Sequence, residues 1–239
     1  MESYVLQHSD YAIAGNAEAV RVLRAKKYRG AVSVIPQFGV DPDVFTPRAE
    51  TNASTFRIGG GVGRLVEEKG VDILLRAVAG LDGDWQVRLR GSGPAQAQLE
   101  ALAHELGIAT RVHFDAPRPS VEMPEYYAQL DLFVMPSRAR PNWKEQFGRA
   151  LVEAMACAVP VIGSECGEIP NVIGDAGLIF REEDTDALRA HIAALRDDPT
   201  RRAELGQRGR ARVLARFTQA RVAEETYQVY KETSKQVSR

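Results

Sequence analysis

Two glutamates flank a Phe-Gly pair in residues 144–155, and an apolar run overlaps the second glutamate. Gly148 lets a ligand approach the backbone, and the apolar run predicts a helix whose first amides have no internal partner. Because a helix N-terminus binds anions, Glu145 before the helix and Glu153 inside it are candidate acceptors for ligand hydroxyls on either side of a phosphate. The alternative is an ordinary core helix with solvated glutamates, which this segment alone does not exclude.

The second candidate is a glycine-rich turn at residues 59–70, between a predicted strand and a predicted helix. Glycine lets the backbone close on a phosphate, and Arg64 and Lys69 supply cationic donors. The dinucleotide spacing G-x-G-x-x-G fails because Arg64 and Val66 stand where its last glycine is needed, and the P-loop spacing fails as well. The segment is either a phosphate-binding turn or a structural turn with surface charges.

Two further turns follow predicted strands, at residues 91–94 and 134–138. The first, Gly-Ser-Gly-Pro, fits a structural turn better than a ligand loop when taken alone. In open α/β sheets, however, ligands bind beyond the carboxyl ends of the strands. All four candidate segments lie at such ends, and their convergence predicts a single site.

Other features with potential chemistry are weaker. No histidine has a Ser, Cys or Asp in a recognisable triad context; the four are His8, His104, His113 and His191. Three D-x-D triplets, a pattern that can hold a divalent metal, begin at Asp41, Asp82 and Asp184. Each lies in a turn-forming or helix-capping context where Asp is favoured anyway. We therefore expect neither a catalytic histidine nor a metal site.

Composition narrows the function classes. The chain has 239 residues, with 31 basic against 32 acidic residues and a net charge of −1. No global field therefore recruits nucleic acid or an acidic membrane surface. The two cysteines, Cys157 and Cys166, form no CxxC pair and predict reduced thiols. With no run of transmembrane length and no signal-peptide pattern at the N-terminus, we expect a soluble, cytoplasmic protein.

Strand and helix patterns alternate along most of the chain, which predicts an α/β fold with a mostly parallel sheet. Strand-like runs occur at residues 12–14, 32–35, 56–59, 85–90, 111–114, 132–135 and 159–162. Helical stripes occur at residues 71–78 and 96–106, and three further helices are predicted at 186–196, 200–216 and 218–234.

A turn-rich, polar stretch at residues 38–52 predicts a linker. Residues 1–37 contain only two strands and a helix, too little for a core of their own. They are either the remnant of another domain or an edge contribution to the main sheet. We predict a remnant domain at 1–37, a linker at 38–52, a Rossmann-like α/β domain at 53–217 and a C-terminal helix at 218–239.

The combination of motifs resembles a known family. Residues 63–70 (GRLVEEKG), 91–94 (GSGP), 135–137 (MPS) and the segment from Glu145 to Glu153, followed by EAMA and VPVI, are similar to the C-terminal, donor-binding domain of retaining GT-B glycosyltransferases of family 4. The likeness extends from about Val32 to the C-terminus. It implies a Rossmann-like parallel sheet with helices on both faces and a helical C-terminal tail.

The resemblance implies roles for individual residues. Arg64 and Lys69 would hold the donor diphosphate and offset the charge of the leaving group, with Glu145 accepting hydrogen bonds from the sugar; these three are the candidate catalytic residues. Glu153 would bind the ribose hydroxyls. Backbone contacts to the donor would come from Gly63, Gly91, Phe147, Gly148, Arg149 and Ala150. A weaker assignment, also implied by the resemblance, places the nucleobase of the donor near Ala116, Pro117 and Arg118. No cofactor or metal is implied.

The sequence departs from the family in two respects. Gly60 and Gly61 replace bulkier strand residues, which could soften the strand that leads to Arg64. Residues 1–37 could supply only the last strand–helix–strand of the N-terminal acceptor domain, so we expect a donor-binding half that is inactive without that domain, supplied in cis or as a separate subunit. Any peripheral membrane association would come through that missing half.

Two alternatives remain open. The chain could be a non-catalytic nucleotide-sugar-binding or interaction module that docks to a separate acceptor-domain subunit. A GT-B-like sugar-nucleotide epimerase would need catalytic carboxylates and a histidine that the sequence does not place.

Overall fold

The N-terminal part of the chain forms a small sheet of its own. The computed structural model describes residues 2–47 and 55–237. Helix α1 (Glu2–Gln7) is followed by β1 (Tyr11–Ala14), α2 (Ala17–Ala25) and β2 (Ala31–Val34). The two strands pair in parallel, as predicted, and among the described residues they are not hydrogen-bonded to the main sheet. This segment therefore does not supply an edge strand to the larger sheet.

The main sheet contains six parallel strands. In chain order they are β3 (Phe56–Arg64), β4 (Trp85–Ser92), β5 (Val112–Asp115), β6 (Leu132–Met135), β7 (Val161–Ser164) and β8 (Leu178–Phe180). Their order in the sheet is β5-β4-β3-β6-β7-β8. The direction of winding reverses between β3 and β6, which is where α/β sheets open a ligand crevice at their carboxyl edge. The sequence predicted the first five of these strands and missed β8.

Helices cover both faces of this sheet. They are α3 (Val71–Ala79), α4 (Gln96–Glu105), α5 (Met123–Tyr127), α6 (Arg149–Ala156), α7 (Ile169–Ile173), α8 (Thr185–Asp197), α9 (Pro199–Arg216) and α10 (Gln219–Val237). Apolar residues of α3, α4 and α8 form one buried cluster and those of α5, α6 and α7 form a second, while α9 contributes Leu205 to the first and Val213 to the second. The predicted Rossmann-like sheet with helices on both faces and a helical C-terminal segment is confirmed.

A glycine bulge shapes the carboxyl end of β3. The pairing of β3 with β4 shifts register between Gly60 and Gly63, and both Gly61 (φ 56°) and Gly63 (φ 91°) have left-handed backbones. A Cβ on Gly60 would come within 2.9 Å of Leu74 Cδ2 and 3.3 Å of the Val134 carbonyl. The strand continues through this bulge to Arg64.

The linker is tied to the junction between the last two helices. The Val40 amide donates to the Phe217 carbonyl at 2.9 Å, and the Gln219 amide donates to the Val40 carbonyl at 2.9 Å. Phe45 is buried in the same apolar cluster as α6 and α9. The predicted boundary between linker and domain falls at residue 52, outside the described residues, and the domain division stays a prediction.

Among the described helices, none combines the length and apolar character needed to cross a bilayer.

Candidate functional site

A cleft of about 370 Å³ opens at the carboxyl edge of the sheet, where the winding reverses. Its walls come from the bulge of β3, the turn after it, the end of β4, the loop after β5, the loop after β6 and the start of α6. The residues that line it are Val62, Gly63, Lys69, Arg90, Pro117, Arg118, Ser120, Met123, Met135, Glu145, Arg149, Ala150 and Glu153. The four sequence segments expected to converge therefore supply much of one cavity or lie directly beside it.

Lys69 and Glu145 form an ion pair in this cleft. Lys69 ends a single 3-10 turn that follows β3, and Glu145 lies in the loop that precedes α6. The Lys69 Nζ atom lies 2.6 Å from Glu145 Oε2, with side-chain exposures of 23% and 12%. The Ser137 hydroxyl approaches the same carboxylate oxygen at 3.4 Å. A cation and a hydroxyl acceptor are thus held side by side, as a phosphate next to a sugar requires.

Two neighbours restrict the positions of this pair. The Lys69 ammonium lies 5.2 Å from the centre of the Trp143 ring, within cation–π range. The Glu145 carbonyl accepts a hydrogen bond from the Glu168 amide at 2.9 Å, which anchors the loop to α7. Gly167 packs its backbone so closely on Glu145 that a Cβ there would collide with the Glu145 carbonyl. The loop that carries Glu145 is therefore fixed at the backbone on the side away from the cleft.

Glu153 is a buried carboxylate with organised donors. Its exposure is 4%, and the Tyr127 hydroxyl donates to Oε2 at 2.8 Å. Arg149 Nε donates to the other oxygen, Oε1, at 2.8 Å. Burial raises the pKa of Tyr127 well above its usual value, and the Glu153 carboxylate raises it further. The protonated Tyr127 hydroxyl can therefore donate to Oε2, whereas Oε1 lies beside the Arg149 and Ser120 side chains of the cleft.

Arg149 closes the Glu153 end of the cleft. Its Nη2 donates to the Ser120 hydroxyl at 2.6 Å, and its guanidinium lies 5.7 Å from the centre of the Phe38 ring. The Arg149 side chain is 50% exposed, so its ion pair with Glu153 is open to competition from a ligand. Arg149 and Ala150 are also the first residues of α6, where backbone amides lack intrahelical acceptors.

Gly148 sets the start of that helix. Its φ of 83° lies in the left-handed region, which glycine adopts without strain. The Leu151 amide donates to its carbonyl at 2.9 Å, which begins the helical pattern. The sequence pattern that predicted a helix N-terminus with Glu145 before it and Glu153 inside it is thus present in the structure.

The structure brings together most of the residues predicted for the site. Those that line the cleft are Gly63, Lys69, Pro117, Arg118, Glu145, Arg149, Ala150 and Glu153. The other five, Arg64, Gly91, Ala116, Phe147 and Gly148, do not line it. The individual roles given to all of these residues stay predictions.

Those five lie close to the cleft in different ways. Arg64 is exposed at the end of β3, and within the described part of the chain it makes no ion pair. Gly91 is packed against the carbonyls of Gly61 and Gly63, where a Cβ would not fit. Phe147 is buried against Phe217, with ring centres 5.8 Å apart. Arg64 is therefore an exposed cation one residue beyond Gly63, which lines the cleft, whereas Gly91 serves the packing of the bulge.

Five cleft residues were not assigned a role from the sequence, although Val62 and Met135 fall in the candidate segments 59–70 and 134–138; the other three are Arg90, Ser120 and Met123. Arg90 is the most informative of them, since it is a cation at the end of a buried strand. Its side chain is 14% exposed, and its Nη2 lies 3.5 Å from Asp115 Oδ2. The alternation of β4, whose odd-numbered residues are buried up to Gly91, places Arg88 and Arg90 on the opposite face and was the available signal.

The features judged weak in the sequence take no part in the cleft. None of the four histidines lines it, and no group of three His, Cys, Asp or Glu residues among those described could hold a metal. Asp184 caps α8 by accepting from the Ala187 amide at 2.9 Å. Asp41 accepts from the Asp43 amide at 2.9 Å in a turn. The D-x-D triplets therefore have local structural roles at these positions.

A parallel six-stranded sheet of this order, with its cleft at the reversal and a helical C-terminal segment, is the architecture of the C-terminal half of GT-B proteins. The family model for glycosyl transferases group 1 matches residues 47–212. The chain belongs to this glycosyltransferase family.

Known proteins resemble the chain over much of its length. The GDP-mannose-dependent alpha-(1-6)-phosphatidylinositol monomannoside mannosyltransferase of Mycolicibacterium smegmatis is 35% identical over 187 residues, 72% of this chain and 49% of that protein. Sucrose-phosphate synthase from Thermosynechococcus elongatus superposes with a TM-score of 0.84 at 27% identity, covering 97% of this chain and 60% of that one. Anabaena HepE, solved in complex with UDP, has a TM-score of 0.85 at 22% identity, covering 95% and 65%, and shows the fold alone. The chain spans about half the length of the curated relatives it matches.

Proposed function

We propose that this chain is the donor-binding half of a retaining hexosyltransferase. It would bind a nucleoside-diphosphate sugar in the cleft and present the sugar to an acceptor hydroxyl. The observation that carries the proposal is the juxtaposition of the Lys69–Glu145 pair with the amide-rich start of α6 in one cavity. The printed name of the mycobacterial relative, a GDP-mannose-dependent mannosyltransferase, supports a sugar nucleotide as the ligand class.

The chemistry of each residue suits a different part of the donor. Lys69 and the amides at the start of α6 suit the diphosphate, and exposed Arg64 would add a second cation at the mouth. Glu145 suits sugar hydroxyls, and Glu153 suits the ribose diol through Oε1. In the reaction, the bond from the anomeric carbon to the phosphate oxygen breaks, and a bond to the acceptor oxygen forms. The acceptor hydroxyl passes its proton to the departing phosphate oxygen as the nucleoside diphosphate leaves. The cations would offset the leaving-group charge without a metal or cofactor.

We further propose that transfer requires an acceptor domain in addition to this chain, either in cis or as a separate subunit. Two-stranded sheets are rarely stable by themselves, and the N-terminal sheet exposes Ile13 and Val34, with Val22 exposed on the adjacent helix. These apolar side chains suit burial under further strands and helices of an N-terminal domain. A cytoplasmic location belongs to the same proposal, since both cysteines are free and buried.

Calorimetric titration with UDP, GDP and ADP tests the donor site. We expect binding of at least one nucleoside diphosphate, about tenfold weaker or more in Lys69→Ala, because that change removes a charge-assisted contact to phosphate. Glu153→Ala should weaken binding of the nucleoside diphosphates and leave inorganic pyrophosphate unaffected, because its partner is the ribose. Absence of binding by the folded wild-type chain to all three nucleotides would refute the proposal.

Lys144→Ala is the matched control for Lys69→Ala, because it removes the same charge without removing a contact to the ligand. Lys144 lies in the same loop as Glu145 but pairs with Glu18 at 2.8 Å, outside the cleft. Lys144→Ala should leave nucleotide affinity unchanged, while removing one positive charge just as Lys69→Ala does. Sugar transfer by this chain alone at rates typical of glycosyltransferases would contradict the claim that an acceptor domain is required.

The alternative function is a nucleotide-sugar-binding module that does not catalyse transfer. The exposed apolar residues of the N-terminal segment would support this non-catalytic function if they formed a docking surface for a separate subunit. Supplying an acceptor domain in trans distinguishes the two, because only the transferase proposal predicts that activity then appears.

A further inference from the structure

A second cavity, of about 570 Å³, lies between the N-terminal segment and the helices α7, α9 and α10. Gly15, which follows β1, and Pro36, which comes shortly after β2, both line it. Because ligands of parallel sheets collect beyond the carboxyl ends of the strands, the N-terminal sheet presents its ligand edge to this cavity. No described residue lines both this cavity and the donor cleft. The two are therefore separate sites.

Three arginines of the C-terminal helices line the second cavity. Arg212 and Arg216 lie one turn apart at the end of α9, and Arg221 lies in the first turn of α10. Like charges at this spacing on a helix repel each other. Burial lowers the pKa of Arg212, and the charge of Arg216 lowers it further. An anion between these two guanidinium groups would relieve the repulsion.

Arg212 is held in place and still has a donor to offer. Its Nε donates to the Val172 carbonyl at 2.8 Å and its Nη2 to the Asn171 carbonyl at 2.7 Å. The guanidinium lies so close to Gly174 that a Cβ there would come within 2.6 Å of Cζ. In the part of the chain that the structure describes, Nη1 has no hydrogen-bond partner and is not shielded from solvent. The cavity wall thus contains a positioned guanidinium with an open donor.

Nearby carboxylates are paired with other arginines. Glu225 pairs with Arg221 at 2.9 Å through Nε of the arginine, so the other nitrogens of Arg221 stay open to a ligand. Asp175 raises the pKa of Arg212, but its direct partner is Arg208 at 2.8 Å. These contacts leave Arg212 with only part of its charge offset.

Glu168 lines the cavity as well, but its charge is felt elsewhere. Burial raises its pKa, and the charged neighbours that act on it most are Glu18 and Arg21. Arg216 is exposed and forms no ion pair or hydrogen bond with a described residue. The wall of the cavity therefore presents one unpaired guanidinium beside one that is partly paired.

We propose that the second cavity binds a phosphate group between Arg212 Nη1 and the Arg216 guanidinium, with Arg221 as a further donor. Guanidinium groups donate several N–H bonds in a fixed plane, which matches the oxygens of a phosphate. The volume lies in the range of small-molecule sites and exceeds that of a phosphate, so either inorganic phosphate or a small phosphate ester fits. The site is independent of the proposed function, since no residue of the donor cleft takes part.

Calorimetry on the full chain with inorganic phosphate, glucose 6-phosphate and glucose tests the proposal. The wild-type chain should bind the first two but not glucose, because the recognised group is the phosphate. Arg216→Gln should weaken both phosphate ligands by about tenfold or more through the loss of charge-assisted hydrogen bonds, and Arg216→Lys should restore part of the loss. Tighter binding of the ester assigns the site to phosphorylated small molecules, and tighter binding of inorganic phosphate assigns it to the free anion.

Two variants are the matched controls. Arg201→Gln removes the same charge from an exposed position at the other end of α9, outside the cavity, and should leave both affinities unchanged. Lys69→Ala removes the cation of the donor cleft and should leave the binding that depends on Arg216 intact.

Three results would overturn the assignment. They are no phosphate binding by the folded wild-type chain, an equal loss in Arg201→Gln, and a loss in Lys69→Ala without one in Arg216→Gln. Failure of the proposed function gives a different outcome, in which nucleoside diphosphates do not bind while the phosphate binding that depends on Arg216 persists.

Discussion

Lys69 Nζ lies 2.6 Å from Glu145 Oε2 in the cleft at the sheet reversal. The two residues come from segments that are far apart in sequence, the turn after β3 and the loop before α6. The pair gives each side chain a defined position, because Trp143 lies over the cation and Ser137 lies beside the carboxylate. The same pair also means that a diphosphate must compete with Glu145 for Lys69.

Glu145→Gln should therefore weaken the binding of sugar nucleotides relative to that of nucleoside diphosphates. Without the carboxylate, Lys69 is free to pair with phosphate, and the affinity for the nucleoside diphosphate should be maintained or rise by a factor of about two to five. The sugar nucleotide should bind about tenfold more weakly relative to the diphosphate, since a neutral amide replaces a charged hydroxyl acceptor. Titration with both ligands measures the ratio.

Ser137→Ala is the control for that change. It removes only the 3.4 Å hydroxyl contact to Glu145 and should alter the ratio by less than a factor of about three. If Glu145→Gln weakened the two ligands equally, Glu145 would not act on the sugar.

The outline of this site could be predicted because its parts are local. A helix N-terminus after a glycine, with one glutamate before it and one inside it, is visible in a single segment around Gly148. Arg90 was not predicted because a charged residue in an alternating strand pattern is normally interpreted as facing solvent. Only the pairing of β4 with β5 places it in the cleft. Tyr127 as the donor to Glu153 depends on how α5 packs on α6, which no local pattern encodes.

In the fold as well, elements with a local sequence pattern were predicted and elements fixed by tertiary contacts were not. Strands with several apolar residues, such as β6, were identified from their composition. The short strand β8 (Leu178–Phe180) was missed because three residues are too few to display a period. Its place is fixed instead by pairing with β7. The bulge at Gly60–Gly63 was likewise not predicted, since the close approach of Leu74 that requires glycine there is a tertiary contact.

Tyr127→Phe should destabilise the protein and change its behaviour in alkali. The variant leaves buried Glu153 Oε2 without its donor, at a cost of about 1–3 kcal/mol near neutral pH. Burial and then Glu153 raise the pKa of Tyr127 in the folded state, whereas an unfolded tyrosine titrates near pH 10. The contribution of Tyr127 to stability is complete below about pH 10. It is lost as the pH rises further, because only the unfolded chain then gives up the proton.

Urea unfolding at neutral pH and in steps above pH 10 measures this effect. The free energy of unfolding of the wild-type chain should fall as the pH rises above 10. In Tyr127→Phe this fall should be less steep by about 1.4 kcal/mol per pH unit. Tyr126→Phe is the matched control, because burial also raises the pKa of Tyr126 while its hydroxyl donates to the Arg88 carbonyl at 2.8 Å. In both variants the free energy of unfolding should fall less steeply above pH 10 than in the wild-type chain. Only Tyr127→Phe should weaken nucleotide binding. Unchanged slopes in both would contradict the burial argument.

Gly70→Ala should be far more damaging than Gly107→Ala, although the two backbones are nearly alike. Gly70 has φ 65° and Gly107 has φ 70°, so alanine at either position incurs about 1–2 kcal/mol of left-handed strain. A Cβ on Gly107 meets no atom within 4 Å, whereas one on Gly70 would collide with the Pro136 carbonyl. Thermal unfolding should show the larger loss for Gly70→Ala.

The same comparison has a functional side. Gly70 follows Lys69, and Pro136 begins the loop that carries Glu145, so the collision would separate the two segments that form the ion pair. We expect Gly70→Ala to lose nucleotide affinity at temperatures where it is still folded, and Gly107→Ala to retain it. Equal stability of the two variants would show that the Pro136 contact relaxes without cost.

Asn16 connects the N-terminal segment to the loop that carries Glu145. It is 3% exposed; its Oδ1 caps α2 by accepting from the Ala19 amide at 2.8 Å, and its Nδ2 donates to the Gln146 carbonyl at 2.9 Å. Gln146 follows Glu145 directly. Asn16→Ala should cost about 1–2 kcal/mol through the lost cap and should also loosen the loop that carries Glu145.

Two variants separate these effects. Asn16→Asp keeps the capping oxygen but loses the donor to Gln146, so α2 should survive while sugar-nucleotide affinity falls about threefold to tenfold, the cost of one buried hydrogen bond. Asp184→Ala removes a comparable cap from α8, away from the cleft, and should leave that affinity unchanged. Amide hydrogen exchange should report faster opening at residues 144–148 in Asn16→Asp and not in Asp184→Ala. Unaltered exchange and affinity in Asn16→Asp would mean that the N-terminal segment does not position Glu145, since this variant removes the donor and sets a carboxylate against the Gln146 carbonyl.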